Sequence, residues 1–428
     1  MAAAAPLLLR AARRGWGASA LLGGAVANPS PLAEYKLVPG AWPGAWAGGW
    51  ARSISSSAGG AWPGAWPGAW ARGISSSAGG AAPQLGGYMG TGHAADDHPA
   101  PRFFVTGACG QIGQEYLPFL RAKVGVDNVI ASDVRSSRRL LDQGPFSYCD
   151  VLDKDNMTRI VLENGCTHIV HLATLLSAVG ERNPSLALKV NTHGIQNVLE
   201  LAATHDLAVY APSTIAVFGP STPRTNTPDV TVARPTTIYG VSKVHQELLG
   251  DYYHARYGVD YRSLRYPGII SADSAPGGGT TDYAVEVFTA ALTAGHYTCF
   301  IGADVALPMM YMPDCLDATW RLMTAPRDAL QQRTFNVTAA SFTPAELGEA
   351  IRRRLPRFTI SYKPDFRDDI ARTWPSSIDD SAARAQWGWA PKYDLQGLAD
   401  DMLRRLAPRY GVALPPELAA GAAPAGAL

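Results

Sequence analysis

From residue 101 onward, short continuous apolar runs alternate with longer stretches in which apolar residues recur every three or four positions. Phe103-Phe104-Val105 is followed by a helix-compatible segment from Gly113 to Lys123. Asn128–Asp133, Phe146–Val151, His168–Ala173, Leu207–Pro212 and Tyr261–Arg265 read as further strands. Helical stretches fall at Asp153–Asn164, Pro184–Thr204 and Tyr239–Tyr257. Runs such as His168–Ala173, with no polar alternation over their apolar centre, suit strands covered on both faces. Strands and helices in regular alternation predict a parallel, doubly wound α/β sheet.

Residues 1–98 show no such period. Between Met1 and Ala95 the only acidic residue is Glu34, against Arg10, Arg13, Arg14, Lys36, Arg52 and Arg72 in an Ala, Gly, Ser and Trp background. This pattern predicts a mitochondrial transit peptide with the matrix as destination. Residues 41–60 and 61–80 are near-identical copies whose Pro and Gly content opposes a packed core, so a duplicated, low-complexity leader is expected. Arg52-Ser53-Ile54-Ser55 and Arg72-Gly73-Ile74-Ser75 resemble processing sites.

The net charge of +1 and the lack of a basic stripe give no electrostatic footprint for nucleic acid. No apolar run approaches the roughly 20 residues that span a bilayer. Cys109, Cys149, Cys166, Cys299 and Cys315 are scattered, without a C-x-x-C or Cys/His cluster, and are expected as reduced thiols, with no metal site.

Candidate chemistry begins at Gly107-Ala108-Cys109-Gly110-Gln111-Ile112-Gly113, between the first strand and its helix. Glycines let the backbone approach a pyrophosphate, and the helix start offers it unpaired N–H groups. By itself the pattern also fits a strand-to-helix turn with no ligand. Asp133 lies 20 residues after Gly113 at the end of the second strand. There a carboxylate accepts ribose hydroxyls and repels a 2′-phosphate, which favours NAD over NADP despite Arg135, Arg138 and Arg139 nearby. Tyr239 and Lys243, four apart, share one helix face, where an ammonium can favour a phenolate. Thr214, 25 residues earlier at a strand end, offers a hydroxyl to a reacting oxygen.

Taken together, the glycine turn, Thr214, Tyr239-Gly240-Val241-Ser242-Lys243, Tyr266-Pro267-Gly268-Ile269 and Trp387-Gly388-Trp389-Ala390-Pro391 resemble the extended short-chain dehydrogenase/reductase family, from Arg102 to about Gly411. Leu175–Glu181, Gly277–Ala284 and Met309–Asp314 are similar to the members of that family that oxidise L-threonine with NAD. The resemblance implies a Rossmann-type domain over 99–266, a smaller C-terminal substrate-binding lid mainly over 267–411 with returns to the first domain, and a disordered tail from 412 to 428. It implies NAD contacts from Gly107, Gly110, Gln111, Ile112, Gly113, Asp133, Asp150, Val151, Leu172, Ala173, Asn191, Tyr239, Lys243, Tyr266 and Ile269. Tyr239 would act as base, with Lys243 and Thr214 as catalytic partners. Ser177 and Thr280 would meet the amino-acid end of the substrate, and Trp374 would close the pocket. For Thr280 and Trp374, a plain glycine-loop residue and a core residue remain open alternatives.

The resemblance also implies a homodimer and a product, 2-amino-3-oxobutanoate, taken up by a glycine-forming CoA ligase. Two other functions share parts of the pattern. A nucleotide-sugar epimerase or dehydratase shares the Tyr/Lys pair and NAD, but this family's dehydratases carry Asp-Glu after the strand-five hydroxyl where this chain has Ile215-Ala216. A non-catalytic NAD-bound scaffold usually lacks the intact Tyr/Lys pair.

Overall fold

The structure, a computed structural model, describes residues 100–275 and 277–419. The predicted leader and residues 420–428 lie outside the described residues.

The first half alternates strand and helix: β1 (Phe103–Thr106), α1 (Gln111–Val124), β2 (Val129–Asp133), α2 (Arg138–Leu141), β3 (Phe146–Tyr148), α3 (Lys154–Glu163) and β4 (His168–His171). Then come α4 (Ser177–Arg182), α5 (Pro184–Leu188), a π-helical turn (Lys189–His193), α6 (Gly194–His205), β5 (Ala208–Tyr210), β6 (Ser213–Thr214), α7 (Ile238–Tyr257), β7 (Tyr261–Tyr266) and β8 (Gly268–Ile270). The second half holds α8 (Tyr283–Thr293), β9 (His296–Cys299), β10 (Leu307–Tyr311), α9 (Met312–Thr324), β11 (Thr334–Asn336), β12 (Ala340–Phe342), α10 (Pro344–Arg352) and β13 (Thr359–Tyr362). It ends with α11 (Phe366–Ala371), α12 (Ser381–Trp387), α13 (Leu395–Leu406) and α14 (Pro416–Ala419).

The main sheet runs β11-β7-β5-β4-β1-β2-β3, with β6 beside β7. All its pairs are parallel. Burial on both faces follows from the two-residue period of a strand. Phe103 and Val105 pack with Tyr116 and Leu117 of α1 and Cys315 and Leu322 of α9. Phe104 points the other way, into Met157 and Ile160 of α3 and Ile195 and Val198 of α6. Thr106 pairs with Ser132 on one side and His171 on the other, so β1, β2 and β4 end level. The order reverses at β1, which places a crevice outside its carboxyl end.

A smaller sheet, β12-β10-β8, and the parallel pair β13-β9 form the second layer. Phe288, Leu347, Leu398 and Met402 fill a separate core there. β11 returns to the main sheet beside β7.

Three expected elements differ. The third strand stops at Tyr148, because Asp150 folds the chain into a turn: its Oδ1 accepts from Leu152 N at 3.0 Å and its carbonyl from Asp153 N at 2.9 Å. The helix expected over Pro184–Thr204 carries the π-helical turn at Lys189–His193. Residues 412–419, expected as tail, instead hold α14, with Leu418 2% exposed in the second core and its carbonyl accepting from Arg404. Leu418 has apolar neighbours waiting for it, and burying them offsets the cost of ordering the segment.

Among the described residues no helix is long and apolar enough to cross a membrane, and no cluster of His, Cys, Asp and Glu is placed to hold a metal.

Candidate active site

β6 runs into a 3₁₀ turn, Ile215–Val217, whose first N–H groups need a partner. Thr214 supplies it, its Oγ1 accepting from Ala216 N at 3.2 Å. α7 starts in the same way, Thr237 Oγ1 accepting from Gly240 N at 3.1 Å. The two turns touch at Gly240, where a Cβ would lie 2.3 Å from the Ala216 carbonyl oxygen. Only glycine permits that approach, and it brings Tyr239 beside Thr214.

The Lys243 side chain runs under the sheet edge and is 4% exposed. Its Nζ donates to Pro212 O at 2.7 Å and to Gln246 Oε1 at 2.9 Å, and lies 5.9 Å from the Tyr239 ring centroid. An ammonium has three donors, so one is left without a protein acceptor among the described residues. Burial pulls Lys243 down to about 7, against the opposing pull of Glu247. Burial pushes the Tyr239 phenol up to about 12, and a hydrogen bond from Thr214 opposes the rise. The expected lowering of Tyr239 by Lys243 is not seen here, because burial is the largest influence on each group taken singly.

A buried network holds this edge. Glu247 accepts from Ser213 Oγ at 2.5 Å and takes a two-pronged pair from Arg265, at 2.9 and 2.8 Å, tying α7 to β6 and β7. Gln246 Nε2 donates to Ala211 O and Pro212 O, at 3.0 and 3.1 Å. The sequence reading missed Gln246, Glu247 and Arg265. A carboxylate four residues after Lys243 and an arginine near the end of a strand expected to be central were the available signals.

Asn191, expected to touch NAD, is fully engaged by protein. Its Oδ1 accepts from Leu175 N at 2.8 Å, and its Nδ2 donates to Leu175 O and Ser242 Oγ, both at 3.0 Å. Ser242 Oγ donates to Tyr239 O at 2.7 Å, so Asn191 braces the loop after β4 against the turn bearing Tyr239.

At the crevice outside β1, Gly107 has φ +72° and a Cβ there would lie 2.5 Å from Ala173 N. On Gly113 a Cβ would sit 2.5 Å from Gly107 O. The turn is thus pressed against Leu172-Ala173 and the start of α1. Gly110 gives α1 no side-chain cap and its first turn holds no acid. The helix N–H groups of Gln111, Ile112 and Gly113 precede the first internal bond, Gln114 N to Gly110 O. Asp133, 8% exposed, accepts from Cys109 N and Arg135 N, each at 3.0 Å, which aims its carboxylate at the same turn. The buried hydroxyl of Thr174, just past β4, has no partner among the described residues. An anion-ready helix end, a carboxylate beside it and an orphaned hydroxyl fit a dinucleotide with an unphosphorylated ribose.

Val151 is 5% exposed and packs in the core below this crevice, while Asp150 is exposed. Ile269 lies partly buried in β8. Tyr266 is turned inward: its hydroxyl bonds Tyr210, at 2.7 Å, and Thr319 in a buried triad.

Ser177 opens α4, which packs against α7, and is 6% exposed, and Thr280 is 3% exposed. Neither hydroxyl bonds protein among the described residues. Their loops meet, since a Cβ on Gly277 would lie 3.6 Å from Leu176 Cδ1. Asp282 Oδ2 gathers Gly278 N and Gly279 N at 2.6 and 2.7 Å, shaping the glycine turn before Thr280. Trp374 is 6% exposed within the apolar cluster that also receives the Tyr239 ring, a core position.

Residues 103–338 match the model of the NAD dependent epimerase/dehydratase family. The chain is 52% identical over 305 residues to the mitochondrial L-threonine 3-dehydrogenase of Sus scrofa, covering 71% of this chain and 82% of that one. The crystal structure of L-threonine dehydrogenase from Phytophthora infestans is 59% identical, with TM-score 0.71 over 72% of this chain and 99% of its own. The holo form of the GalE-like L-threonine dehydrogenase of Cupriavidus necator is 48% identical, with TM-score 0.70 over 72% of this chain and 100% of its own. The chain belongs to the NAD dependent epimerase/dehydratase family.

Proposed function

We propose that this chain oxidises the C3 hydroxyl of L-threonine to 2-amino-3-oxobutanoate, using NAD. The observation that carries the reading is the convergence of Thr214, Tyr239 and Lys243 at the sheet edge, and it is supported by Ser177 and Thr280, buried on loops that meet, whose hydroxyls have no protein partner among the described residues. The similarity to L-threonine dehydrogenases supports the substrate.

NAD, when bound, supplies the acceptor for the hydride that leaves C3. Gly107, Gly110, Gln111, Ile112 and Gly113 would hold its pyrophosphate, Asp133 its adenosine ribose, Asp150, Val151, Leu172 and Ala173 its adenine side, and Lys243 its nicotinamide ribose through the free N–H. Tyr239 takes the proton from the C3 hydroxyl at its phenolic oxygen. Thr214 donates to the reacting oxygen and holds it in line. Burial penalises the Tyr239 phenolate and the Lys243 ammonium singly, but a phenolate–ammonium pair carries no net charge. The two groups therefore ionise together. Asn191, Gln246 and Glu247 keep this geometry without touching substrate, so little reorganisation is needed as charge develops. Ser177 and Thr280 bind the ammonium and carboxylate of the substrate.

The acid-poor residues 1–98 act as a mitochondrial leader, in keeping with the mitochondrial relative. Residues 99–266 form the cofactor-binding part and 267–411 mainly the lid. The α7 face bearing Val241, Leu248 and Tyr252, which are 46%, 65% and 53% exposed, pairs with its copy in a homodimer. A glycine-forming CoA ligase consumes the product.

The test is initial NADH formation with L-threonine, L-allo-threonine and a UDP-sugar. L-threonine reacts. L-allo-threonine, with C3 inverted, reacts far more slowly because its hydroxyl and its hydrogen cannot both be placed. Turnover of the UDP-sugar but not of L-threonine overturns the reading.

A further inference from the structure

The loop after β8 is fastened to the cofactor helix. Glu115 lies one turn after Gln111 on the same face of α1. Its Oε1 accepts from Ser274 Oγ at 2.5 Å and from Ser271 Oγ. Ser274 Oγ also lies 3.1 Å from the Gln111 carbonyl oxygen. Ser271 Oγ in turn accepts from Asp273 N and Ser274 N, at 3.0 and 3.1 Å, which closes residues 271–274 into a compact turn. Ser271 is 0% and Ser274 8% exposed. Asp273 pairs with Arg405 and Arg409.

From this turn the chain passes through exposed Gly277 and Gly278 to Thr280, and its far end is gathered by Asp282. The segment that offers Thr280 is therefore held at two points, and the first of them is on α1. The first turn of that helix also carries the free N–H groups at the dinucleotide crevice. Hydroxyls bonded to a carboxylate are among the stronger protein hydrogen bonds, and removing a buried acceptor leaves its donors unpaired.

We infer that Glu115 is a positioning residue for substrate: through Ser271 and Ser274 it fixes the segment from Ser271 to Asp282 onto the cofactor helix, and so sets where Thr280 meets the amino acid. This rests on Thr280 facing substrate, as proposed above. Gln in place of Glu115 keeps an oxygen that can accept both hydroxyls, and Ala does not.

The experiment compares the full chain with Glu115→Ala, Glu115→Gln and Ser274→Ala. Amide hydrogen exchange over residues 271–282 is measured without cofactor, the NAD dissociation constant by fluorescence titration, and KM and kcat with L-threonine. Glu115→Ala is expected to speed exchange across the segment and to raise KM about tenfold, the scale of one lost charge-assisted hydrogen bond, with NAD affinity within about twofold of wild type. Ser274→Ala moves both readouts in the same direction by less, and decides the matter if Glu115→Ala does not fold. Glu115→Gln restores slow exchange and a low KM. Wild-type exchange in Glu115→Ala, or a change in NAD affinity with KM unmoved, makes Glu115 a packing residue of α1 and overturns the inference. A wild type that ignores L-threonine overturns the functional reading instead, and the exchange measurement alone then decides the anchor.

Discussion

The elements bearing Tyr239 and Lys243 and the loop bearing Thr280 are built on different principles. The first is a helix pressed on a strand end, with Gln246, Glu247, Asn191 and Arg265 holding it by buried hydrogen bonds. The second is a glycine-rich loop with two anchors, whose Thr280 hydroxyl has no protein partner among the described residues. Chemistry needs atoms held to a fraction of an ångström, so its residues sit on rigid elements. Where Thr280 meets substrate as proposed, the glycines of its loop would permit the movement that entry and release require.

That contrast can be broken from either side. Lys243→Ala should have the largest effect, because it removes both the proposed ribose contact and the charge that accompanies the phenolate. Turnover should fall by about 10²–10⁴-fold and NAD binding should weaken as well, by rapid-mixing kinetics and titration. Intact NAD affinity would separate the two roles. Asp133→Ala should narrow the preference for NAD over NADP by about tenfold, since one like-charge repulsion near the surface is worth roughly that much. Equal use of both cofactors by the wild type would remove Asp133 from its assigned place.

On the loop side, Thr280→Ala should weaken L-threonine binding by about 1–3 kcal/mol and leave NAD affinity unchanged, read from KM and titration. An unaltered KM would take Thr280 out of the pocket.

A smaller effect is expected in pH-dependent stability. His171 is 3% exposed, with Nδ1 bonded to Thr106 at 2.9 Å, and burial, with Lys243 adding to it, lowers it to about 3. Its folded value is below the unfolded one, so the unfolded state binds a proton that the folded state refuses. The stability it contributes is complete above the unfolded value, about 6.5, and is lost as pH falls towards the folded value, at up to about 1.4 kcal/mol per pH unit. Denaturant melts of wild type and His171→Gln between about pH 7 and about pH 5 should show the wild-type slope reduced in the variant. Parallel slopes would mean that the histidine is hydrated.

The sheet and its crevice were legible in the sequence because local signals carry them: apolar runs such as Phe103–Val105, a glycine turn after the first, and an acid ending the second. The Thr214, Tyr239 and Lys243 set was also legible, being fixed by helix spacing and strand order. Contacts made across long separations were not. Asn191 reads as a polar residue on a helix near a ligand site, and only folding shows its amide spent on Leu175 and Ser242. Nor does the sequence show that Tyr210 and Thr319 hold the Tyr266 hydroxyl. Residues 412–419 look like the start of a low-complexity end, yet Leu418 finds the core of the second layer.

The central claim is that the Tyr239 oxygen takes the proton, and Tyr239→Phe tests it most directly because the ring stays and the oxygen goes. NADH formation from L-threonine and the NAD dissociation constant should be measured on the same preparations. The account predicts turnover lower by about 10²–10⁴-fold with NAD affinity unchanged. NADH production by the variant at a rate comparable to wild type would contradict it.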